Sequence, residues 1–424
     1  MNELLNEMLL KEFSISHKLI DLVCETEKQL HNKFMEVDKV AEYNQYKVLK
    51  AFGENKVSEI HFASTTGYGY NDAGRDIIES IYADVFKTES ALVRSQMVCG
   101  THALSVALSA NLKPGDEMLC PVGKPYDTLA SVIGTNGARG SLIEYGVTYR
   151  QVDLLPDYSF DYENIKKAIN SKTKLVEIQR SRGYSTRPSF SIKEIKDLIK
   201  YIRGIKEDVI ILVDNCYGEF VDYTEPSEVG ADMVVGSLIK NPGGGITPIG
   251  GYIVGKNEFI ENAAYRLTCP GLGKEVGASL GLNQKFLQGL FMAPQTVSAS
   301  LKGAIFTAAI MDKLGFEVSP KAEESRTDIV QQINMRTPEN VIKFCQGIQK
   351  ASPIDSHAMP QPWDMPGYDN QVIMAAGTFV QGSSIELSAD APIRPPYTVY
   401  MQGGLTYWHA KIGTMVAIEN MNII

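Results

Sequence analysis

The sequence predicts an α/β protein with a large domain built on a mostly parallel sheet and a smaller α/β domain at the C-terminus. Two observations support this fold class. Apolar, strand-like runs alternate with helical patterns between residues 59 and 294, and this alternation is typical of a parallel sheet covered on both faces. The chain also has 424 residues, 44% of them hydrophobic, which exceeds a typical single domain.

The first segment, residues 1–58, is predicted to form a helical arm ahead of the large domain. Apolar residues recur at near-helical steps, with charged residues between them, as at Leu19, Ile20, Val23 and Leu30. A stripe of this kind usually packs against a core or another subunit. The many acidic residues of the segment disfavour membrane binding.

Residues 59–295 are predicted to form the large domain. The run KLVEIQ is typical of a strand, Ser191 and Glu194 predict a capping box at the start of the next helix, and VIILVD is the following strand. DMVVGS and GGYIVG are further strands. The helix after Thr101 carries several small residues, so we expect it to lie close to the sheet.

Residues 296–424 are predicted to form a bridging helix and the small C-terminal domain. The helix is the stretch TVSASLKGAIFTAAIMDKLGF, and the runs VIMAAGTFV and SIELS that follow it alternate as strands do.

Composition excludes several classes of function. The formal charge is −9 without long acidic or basic blocks, whereas a nucleic-acid surface needs a clustered basic face. No stretch approaches the roughly 20 apolar residues of a membrane span, and the start MNELLNEMLLKEF is acidic, unlike a secretory signal. We therefore expect a cytoplasmic protein without membrane or nucleic-acid partners.

Cysteine and histidine usage predicts no metal site. The six cysteines are scattered without a CxxC pair, and the six histidines show no HExxH motif. Cys99 and Cys216 adjoin candidate site residues, and buried small hydrophobes are the more frequent form of such cysteines.

Three motifs along the large domain together predict a cofactor site. In CGTHALSVALSA, Gly100 and Thr101 begin a helix whose free N–H groups favour a phosphate. Asp214 ends the strand VIILVD, and Lys240 lies in GSLIKNPGGGITPIGG, where Ser237 could also reach a phosphate. A phosphate-binding helix N-terminus, an aspartate and a lysine in this order along the chain are expected of a pyridoxal 5′-phosphate (PLP) site.

Each motif has an ordinary alternative. Asp214 could be a solvated loop residue, Lys240 a surface turn, and Thr101 a cap for its own helix. The combination favours the cofactor site, because the aspartate and the lysine follow successive strands and would meet at one edge of a parallel sheet.

The chemistry of PLP assigns a role to each residue. A carboxylate at Asp214 would keep the pyridine nitrogen protonated, and Lys240 would hold the cofactor covalently and later take the Cα proton of the substrate. Tyr126 could stack on the pyridine ring or simply pack in its loop. Arg394 is our candidate for the substrate carboxylate, because guanidinium binds carboxylate through two parallel hydrogen bonds; Arg180 and Arg182 compete for that role, and all three arginines could instead form structural ion pairs.

The stretch TTGYGYNDAGRD places Tyr68, Tyr70 and Arg75 in a glycine-rich loop before a helix. Tyr70 or Arg75 could contact the phosphate, across a subunit boundary in an oligomer. The alternative is a mobile surface loop.

With these residues identified, the sequence resembles the fold type I PLP-dependent enzymes, within them the cystathionine and methionine lyase group. More narrowly, it is similar to the methionine gamma-lyase-like family often labelled aluminium resistance protein. The resemblance runs over nearly the whole chain, in the stretches FASTTGYGYNDAGRD, IQRSRGYSTRPS, VDNCYGEF, GSLIKNPGGGITPIGGYIVG, SPIDSH and GTFVQGSSIELSADAPIRPPY.

The resemblance implies a fold type I PLP-dependent transferase-like fold, with a mostly parallel seven-stranded sheet in a large PLP-binding domain and a smaller C-terminal domain. It also implies a homotetramer built from dimers. Lys240 would hold PLP, Asp214 would face its nitrogen, Tyr126 would stack on its ring, and the phosphate would be surrounded by Gly100, Thr101 and Ser237. Two departures are visible: the threonine that precedes the lysine in better-known lyases is replaced by Ile239, and the Tyr-x-Arg pair is replaced by Tyr68 and Tyr70.

The resulting hypothesis is a PLP-dependent carbon–sulfur lyase that acts on a sulfur-containing amino acid such as cystathionine, cysteine or methionine. Its products would be a 2-oxo acid, ammonia and a thiol, through β- or γ-elimination. One alternative is another reaction of the same fold, of the aminotransferase or aldolase type. A second is a non-enzymatic metal-tolerance or stress protein.

Overall fold

The structure is a computed structural model that describes residues 3–365 and 370–424. Residues 1 and 2 of the predicted arm lie outside the described residues. In chain order the α-helices are Glu3–Glu12 (α1), His17–Glu54 (α2), Ala73–Val85 (α3), Gly100–Asn111 (α4), Asp127–Ile133 (α5), Tyr162–Ala168 (α6), Ile192–Ile205 (α7), Asn257–Leu267 (α8), Asn283–Lys313 (α9), Pro338–Lys350 (α10) and Tyr407–Met421 (α11).

The strands form two separate sheets. They are Ser90–Arg94 (β1), Glu117–Cys120 (β2), Thr148–Gln151 (β3), Thr173–Gln179 (β4), Ile210–Asp214 (β5), Met233–Ser237 (β6), Gly251–Gly255 (β7), Glu317–Ser319 (β8), Gln331–Asn334 (β9), Val372–Ala375 (β10), Ser388–Pro392 (β11) and Thr398–Gln402 (β12).

The larger sheet has seven strands in the order β1-β7-β6-β5-β4-β2-β3. The strands from β3 across to β6 run parallel to their neighbours, whereas β7 is antiparallel to both β6 and β1. The smaller sheet has five strands in the order β10-β11-β12-β9-β8, all antiparallel. The predicted fold class, a mostly parallel seven-stranded sheet with a second, smaller α/β part, is confirmed.

Compactness divides the chain into two units, Asn44–Met292 and a second unit that joins Met1–Tyr43 to Ala293–Ile424. The seven-stranded sheet belongs to the first unit, which we call the sheet unit, and the five-stranded sheet belongs to the second, the C-terminal unit. The predicted boundaries after residues 58 and 295 stay predictions.

Alternation along the parallel strands gives the large sheet two apolar faces. On one face, Leu175, Leu212 and Met233 pack with buried residues of α4 and α8. On the other, Val176 and Val213 pack with the apolar stripe of α7. Strands that are buried on both sides are characteristic of parallel sheets with helices on both faces.

Helix α4 lies directly against β6 and β7, as its small residues predicted. Ala103 is fully buried, and a Cβ atom added at Gly251 would lie only 2.8 Å from the Ala103 Cβ. Small residues on both elements therefore permit this close approach, which fixes the helix N-terminus near the carboxyl ends of the strands.

The C-terminal unit has its own core. Ile333, Ala389 and Val399 of the five-stranded sheet pack with Phe344 and Ile348 of α10. Helices α10 and α11 also cross closely, because a Cβ atom at Gly347 would lie 2.4 Å from the Ala417 Cα.

Two features of the described residues bear on function. None of the helices in residues 3–365 and 370–424 combines the length and the apolar character that crossing a bilayer requires. In the same residues, no group of three or more His, Cys, Asp or Glu side chains is placed to hold a metal ion.

The capping box predicted before α7 is present. The Ser191 hydroxyl accepts a hydrogen bond from the Glu194 N–H at 3.2 Å, and the Glu194 carboxylate accepts one from the Ser191 N–H at 2.8 Å. These bonds satisfy two backbone donors that the helix itself leaves without partners.

We predict that Ser191→Ala lowers the free energy of unfolding by about 1 kcal/mol, the usual cost of removing an N-cap acceptor. Urea denaturation at neutral pH measures the change. Ser191→Thr keeps the acceptor and is the matched control, so equal losses in both variants would contradict the assignment of the loss to the cap.

Candidate active site

Asp214 ends β5 at the edge of the sheet where the parallel strands terminate. It pairs in register with Gln179, the last residue of β4. Asp214 lies two residues after Leu212, so the side chains of Leu212 and Asp214 point to the same face of the sheet, the one covered by α4. The carboxylate is 6% exposed and accepts a hydrogen bond from the Cys216 N–H at 3.1 Å. An acidic group is thus held in place on the helix-covered face.

The N-terminus of α4 and Ser237 meet at the same edge. A Cβ atom at Gly100 would lie 3.2 Å from the Ser237 Cβ and 3.3 Å from the Cys216 Sγ, so only a glycine fits comfortably there. Cys99, the N-cap residue, gives no side-chain hydrogen bond to the helix. The first-turn N–H groups are therefore not capped by their own side chain, as an anion site requires.

Thr101 makes a side-chain contact that the sequence did not indicate. Its hydroxyl lies 2.8 Å from the hydroxyl of Thr128, which ties α4 to α5. The Ser237 hydroxyl accepts a hydrogen bond from the Ile239 N–H at 3.3 Å and so orders the turn toward Lys240.

Lys240 follows β6 and immediately precedes a short 3-10 helix, Asn241–Gly243. Its side chain is partly buried, and its Nζ lies 4.0 Å from the centroid of the Tyr217 ring. The amine is faced by the acidic groups of Cys216, Tyr217, Asp214 and Glu219. Burial lowers the pKa of the Lys240 amine, but these groups raise it by more, so the net pKa lies above the ordinary value for lysine.

The turn after β5, residues 215–218, is held by the Arg180 guanidinium. Its Nη1 donates to the Asn215 side-chain oxygen at 2.8 Å and to the Gly218 carbonyl at 2.9 Å. Asn215 in turn donates to the Glu225 carboxylate at 2.9 Å, and Arg180 and Glu225 are both at most 1% exposed and 3.9 Å apart. Arg180, one of the competing carboxylate candidates, therefore supports the turn between Asp214 and Tyr217.

Glu219 connects this turn to the lysine loop. Its backbone carbonyl accepts a hydrogen bond from the Asn241 side chain at 2.9 Å, and its carboxyl accepts one from the Tyr252 hydroxyl at 2.8 Å. Burial raises the pKa of the Glu219 carboxyl to about 8, so the group is mostly neutral at neutral pH.

Tyr126 lies beside the end of β4, the strand that pairs with β5. Its N–H donates to the Gln179 side chain at 2.6 Å, and its ring is 6.0 Å from that of Tyr184. A Cβ atom at Gly183 would approach the Tyr126 ring to 2.9 Å. The structure thus brings Tyr126 to this edge of the sheet, and its stacking on a cofactor ring stays a prediction.

Arg182 and Arg394 lie in different settings. Arg182 is 2% exposed, and its N–H donates to the Ser189 hydroxyl at 3.0 Å. Arg394 is an exposed residue of the C-terminal unit that follows β11, with its Nη1 3.5 Å from the Asn370 side-chain oxygen. Their roles toward a substrate carboxylate stay predictions.

The glycine-rich loop before α3 is fixed by its own contacts. Arg75, 5% exposed, donates through Nη1 to the carbonyls of Gly69 at 2.7 Å and Gly277 at 3.2 Å. The rings of Tyr68 and Tyr70 stack with centroids 5.5 Å apart and are 70% and 52% exposed. The loop therefore presents a tyrosine pair to the surface, and a phosphate contact by Tyr70 stays a prediction.

One buried acidic group near Asp214, Glu177, was not identified from the sequence. Glu177 of β4 is 0% exposed, and its Oε2 accepts a hydrogen bond from the Cys120 thiol at 3.1 Å. Burial, and then the nearby Asp214 charge, raises the pKa of the Glu177 carboxyl to about 8. The same two causes raise the pKa of the Cys216 thiol well above its usual range.

The assembled groups fit PLP. An amine at Lys240 suits an aldehyde, the α4 N-terminus with Gly100 and Ser237 suits a phosphate, and Asp214 suits a protonated ring nitrogen. The glycine at residue 100 lets Ser237 and Cys216 approach this helix start closely.

Comparison with known proteins identifies clear relatives. The family model for methionine gamma-lyase matches residues 19–422. The Bacillus subtilis (strain 168) protein YnbB is 53% identical over 399 residues, which cover 94% of this chain and 95% of that protein.

Solved structures give the same picture. A carbon–sulfur lyase involved in aluminum resistance from Clostridium novyi NT matches with a TM-score of 0.95 at 49% identity, covering 100% of both chains. The pyridoxal-5′-phosphate-dependent protein YhfS from Escherichia coli matches with a TM-score of 0.62 at 16% identity, over 92% of this chain and 97% of that chain. The latter likeness shows a shared fold.

We predict that Glu177→Gln removes a pH-dependent loss of stability. Because the folded-state pKa of about 8 lies above the model-peptide value of 4.5, the folded protein holds a proton that the unfolded chain releases, and wild-type stability falls as pH rises from about 4.5 to about 8. Within this window the difference in unfolding free energy between variant and wild type should change by about 1.4 kcal/mol per pH unit.

Urea unfolding at several pH values measures this difference, and Glu144→Gln, a substitution outside the core, is the control. Parallel pH profiles for wild type and Glu177→Gln would refute the raised pKa.

Proposed function

The chain belongs to the methionine gamma-lyase family, and from that premise we propose that it is a PLP-dependent carbon–sulfur lyase acting on a sulfur-containing amino acid. The products are a thiol, ammonia and a 2-oxo acid. The observation that carries this proposal is the convergence of Gly100, Ser237, Asp214 and Lys240 at one edge of the large sheet.

When bound, PLP supplies an electron sink that stabilises negative charge developing at the substrate Cα. Lys240 holds the cofactor before substrate arrives and is then free to take the Cα proton as a general base. Breaking the carbon–sulfur bond at Cβ completes a β-elimination. A γ-elimination requires a further proton to leave Cβ, and the same amine is the group available for it.

Asp214 keeps the ring nitrogen of the cofactor protonated. Its hydrogen bond from the Cys216 N–H fixes one carboxylate oxygen and so restrains the orientation of the carboxylate. The α4 N-terminus, with Gly100, Thr101 and Ser237, binds the phosphate through backbone N–H groups and hydroxyls.

The substrate is a small amino acid, and its carboxylate needs a guanidinium. Arg394 and Arg182 are the proposed partners, and Tyr126 covers the cofactor ring. We further propose a cytoplasmic homotetramer in which Tyr70 reaches the phosphate of a neighbouring subunit. The exposed Tyr68–Tyr70 pair on a fixed loop supports that proposal.

We predict that Lys240→Ala abolishes covalent PLP attachment. Wild-type protein incubated with PLP should show a visible absorbance band that borohydride fixes as a PLP adduct on Lys240, detected by peptide mass spectrometry. The variant should lack that adduct and lose at least about 10²-fold in activity. Lys256→Ala is the matched control, because Lys256 follows β7 at the opposite edge of the sheet, where it pairs with Asp232.

Activity is measured as 2-oxo acid and thiol released from cystathionine, cysteine, homocysteine and methionine. An adduct on Lys240 without release of either product from any of these amino acids would sink the lyase proposal. A wild-type protein that forms no adduct would sink the cofactor assignment itself.

We predict that Asp214→Asn lowers kcat by about 10- to 100-fold, since it removes one charge-assisted hydrogen bond to the ring nitrogen. The PLP adduct on Lys240 should still form. Steady-state kinetics and the borohydride assay measure the two effects, and an unchanged kcat would contradict the assigned role.

A further inference from the structure

We propose that the ring of Tyr217 holds the free ε-ammonium group of Lys240 and thereby positions this amine for proton transfer. Tyr217 is then a positioning residue that acts through Lys240. The importance of this contact for catalysis rests on the proposed function above, whereas the contact itself is a property of the chain alone.

The first observation is the geometry of the contact. Lys240 Nζ lies 4.0 Å from the centroid of the Tyr217 ring, well within the roughly 6 Å at which a cation over an aromatic face is attracted. Both side chains are partly buried, so water screens this attraction only in part.

The second observation is the backbone of Tyr217. Its φ is +74°, in the left-handed region where a bulky residue costs about 1 kcal/mol or more and where glycine or asparagine is favoured. Strain of this kind persists only where the surroundings impose it, and such residues cluster at functional sites.

The surroundings do impose it. Gly218 N–H donates to the Asn215 carbonyl at 2.8 Å, Arg180 binds the carbonyl of Gly218, and Asn215 is anchored on Glu225. The turn is therefore fixed on both sides of Tyr217, and the strained conformation points its ring at the lysine.

An aromatic ring suits this task better than a carboxylate. In the described part of the chain, no carboxylate oxygen lies within 4.0 Å of Lys240 Nζ as an ion pair. A carboxylate at that distance would stabilise the ammonium form more strongly than a π face does. The ring therefore restrains the amine while raising its pKa by less than an ion pair would.

The test measures the pKa of Lys240 in the full-length chain without added PLP. Competitive acylation with acetic anhydride across pH, quantified on the Lys240 peptide by mass spectrometry, reports the fraction of neutral amine. Tyr217→Asn removes the ring and tolerates positive φ, whereas Tyr217→Phe keeps the ring. Tyr158→Asn is the matched control, because Tyr158 also has a positive φ of 65° and lies on another loop.

We expect Tyr217→Asn to lower the pKa of Lys240 by about one pH unit, which raises its labelling below that pKa about tenfold. Tyr217→Phe removes only the hydroxyl and should shift the labelling curve by less than Tyr217→Asn does, and Tyr158→Asn should leave the curve in place. Tyr217→Gly should repeat the effect of Tyr217→Asn, which guards against a folding defect in one variant; urea unfolding verifies that each variant is folded.

An unshifted curve in folded Tyr217→Asn and Tyr217→Gly would overturn the proposal. So would an equal shift in Tyr217→Phe, because the hydroxyl rather than the ring would then be the active group. The labelling readout does not depend on turnover, so a failed lyase assay with the expected shift would overturn the proposed function and leave the Tyr217 contact established.

Discussion

The buried Arg180 guanidinium is the constraint on which the rest of the site depends. It binds Asn215 and Gly218 and lies near Glu225 inside the protein. These contacts restrain the backbone of the turn that follows β5. Burying such a pair is expensive in desolvation, and it contributes little net stability compared with an apolar core. Its consequence here is geometric: Asp214, Tyr217 and Glu219 project from a turn that cannot relax independently of the sheet.

The negative charge near this edge of the sheet is lower than the number of its carboxyl groups suggests. Glu177 and Glu219 both have a pKa of about 8 because burial disfavours their ionised forms, so both are mostly neutral at neutral pH. A buried neutral carboxyl can donate as well as accept a hydrogen bond. The region near Asp214 and Lys240 is thus polar, and at neutral pH it carries less negative charge than it would with every carboxyl group ionised.

The sequence predicted the features that depend on local order. The strand–helix alternation and the capping box of Ser191 and Glu194 are confirmed. The seven-stranded sheet, which the family resemblance implied, is confirmed as well. Asp214 and Ser237 end neighbouring parallel strands. The features it missed depend on register between distant segments. Glu177 becomes a neighbour of Asp214 only through the pairing of β4 with β5, and nothing local distinguishes Arg180, which supports a turn, from Arg182. The position of Tyr217 between Asp214 and a glycine indicated that it lies in a turn near the site. Its positive φ could not be predicted from the sequence.

The raised pKa of the Cys216 thiol bears on how such a protein survives its own chemistry. A carbon–sulfur lyase generates free thiols, and their oxidised forms trap protein cysteines by disulfide exchange, which requires a thiolate as the attacking group. Cys216 sits against Gly100 and Asp214, yet its thiol stays protonated because it is buried beside a carboxylate. A cysteine can therefore lie beside the proposed cofactor site without becoming a site of self-inactivation.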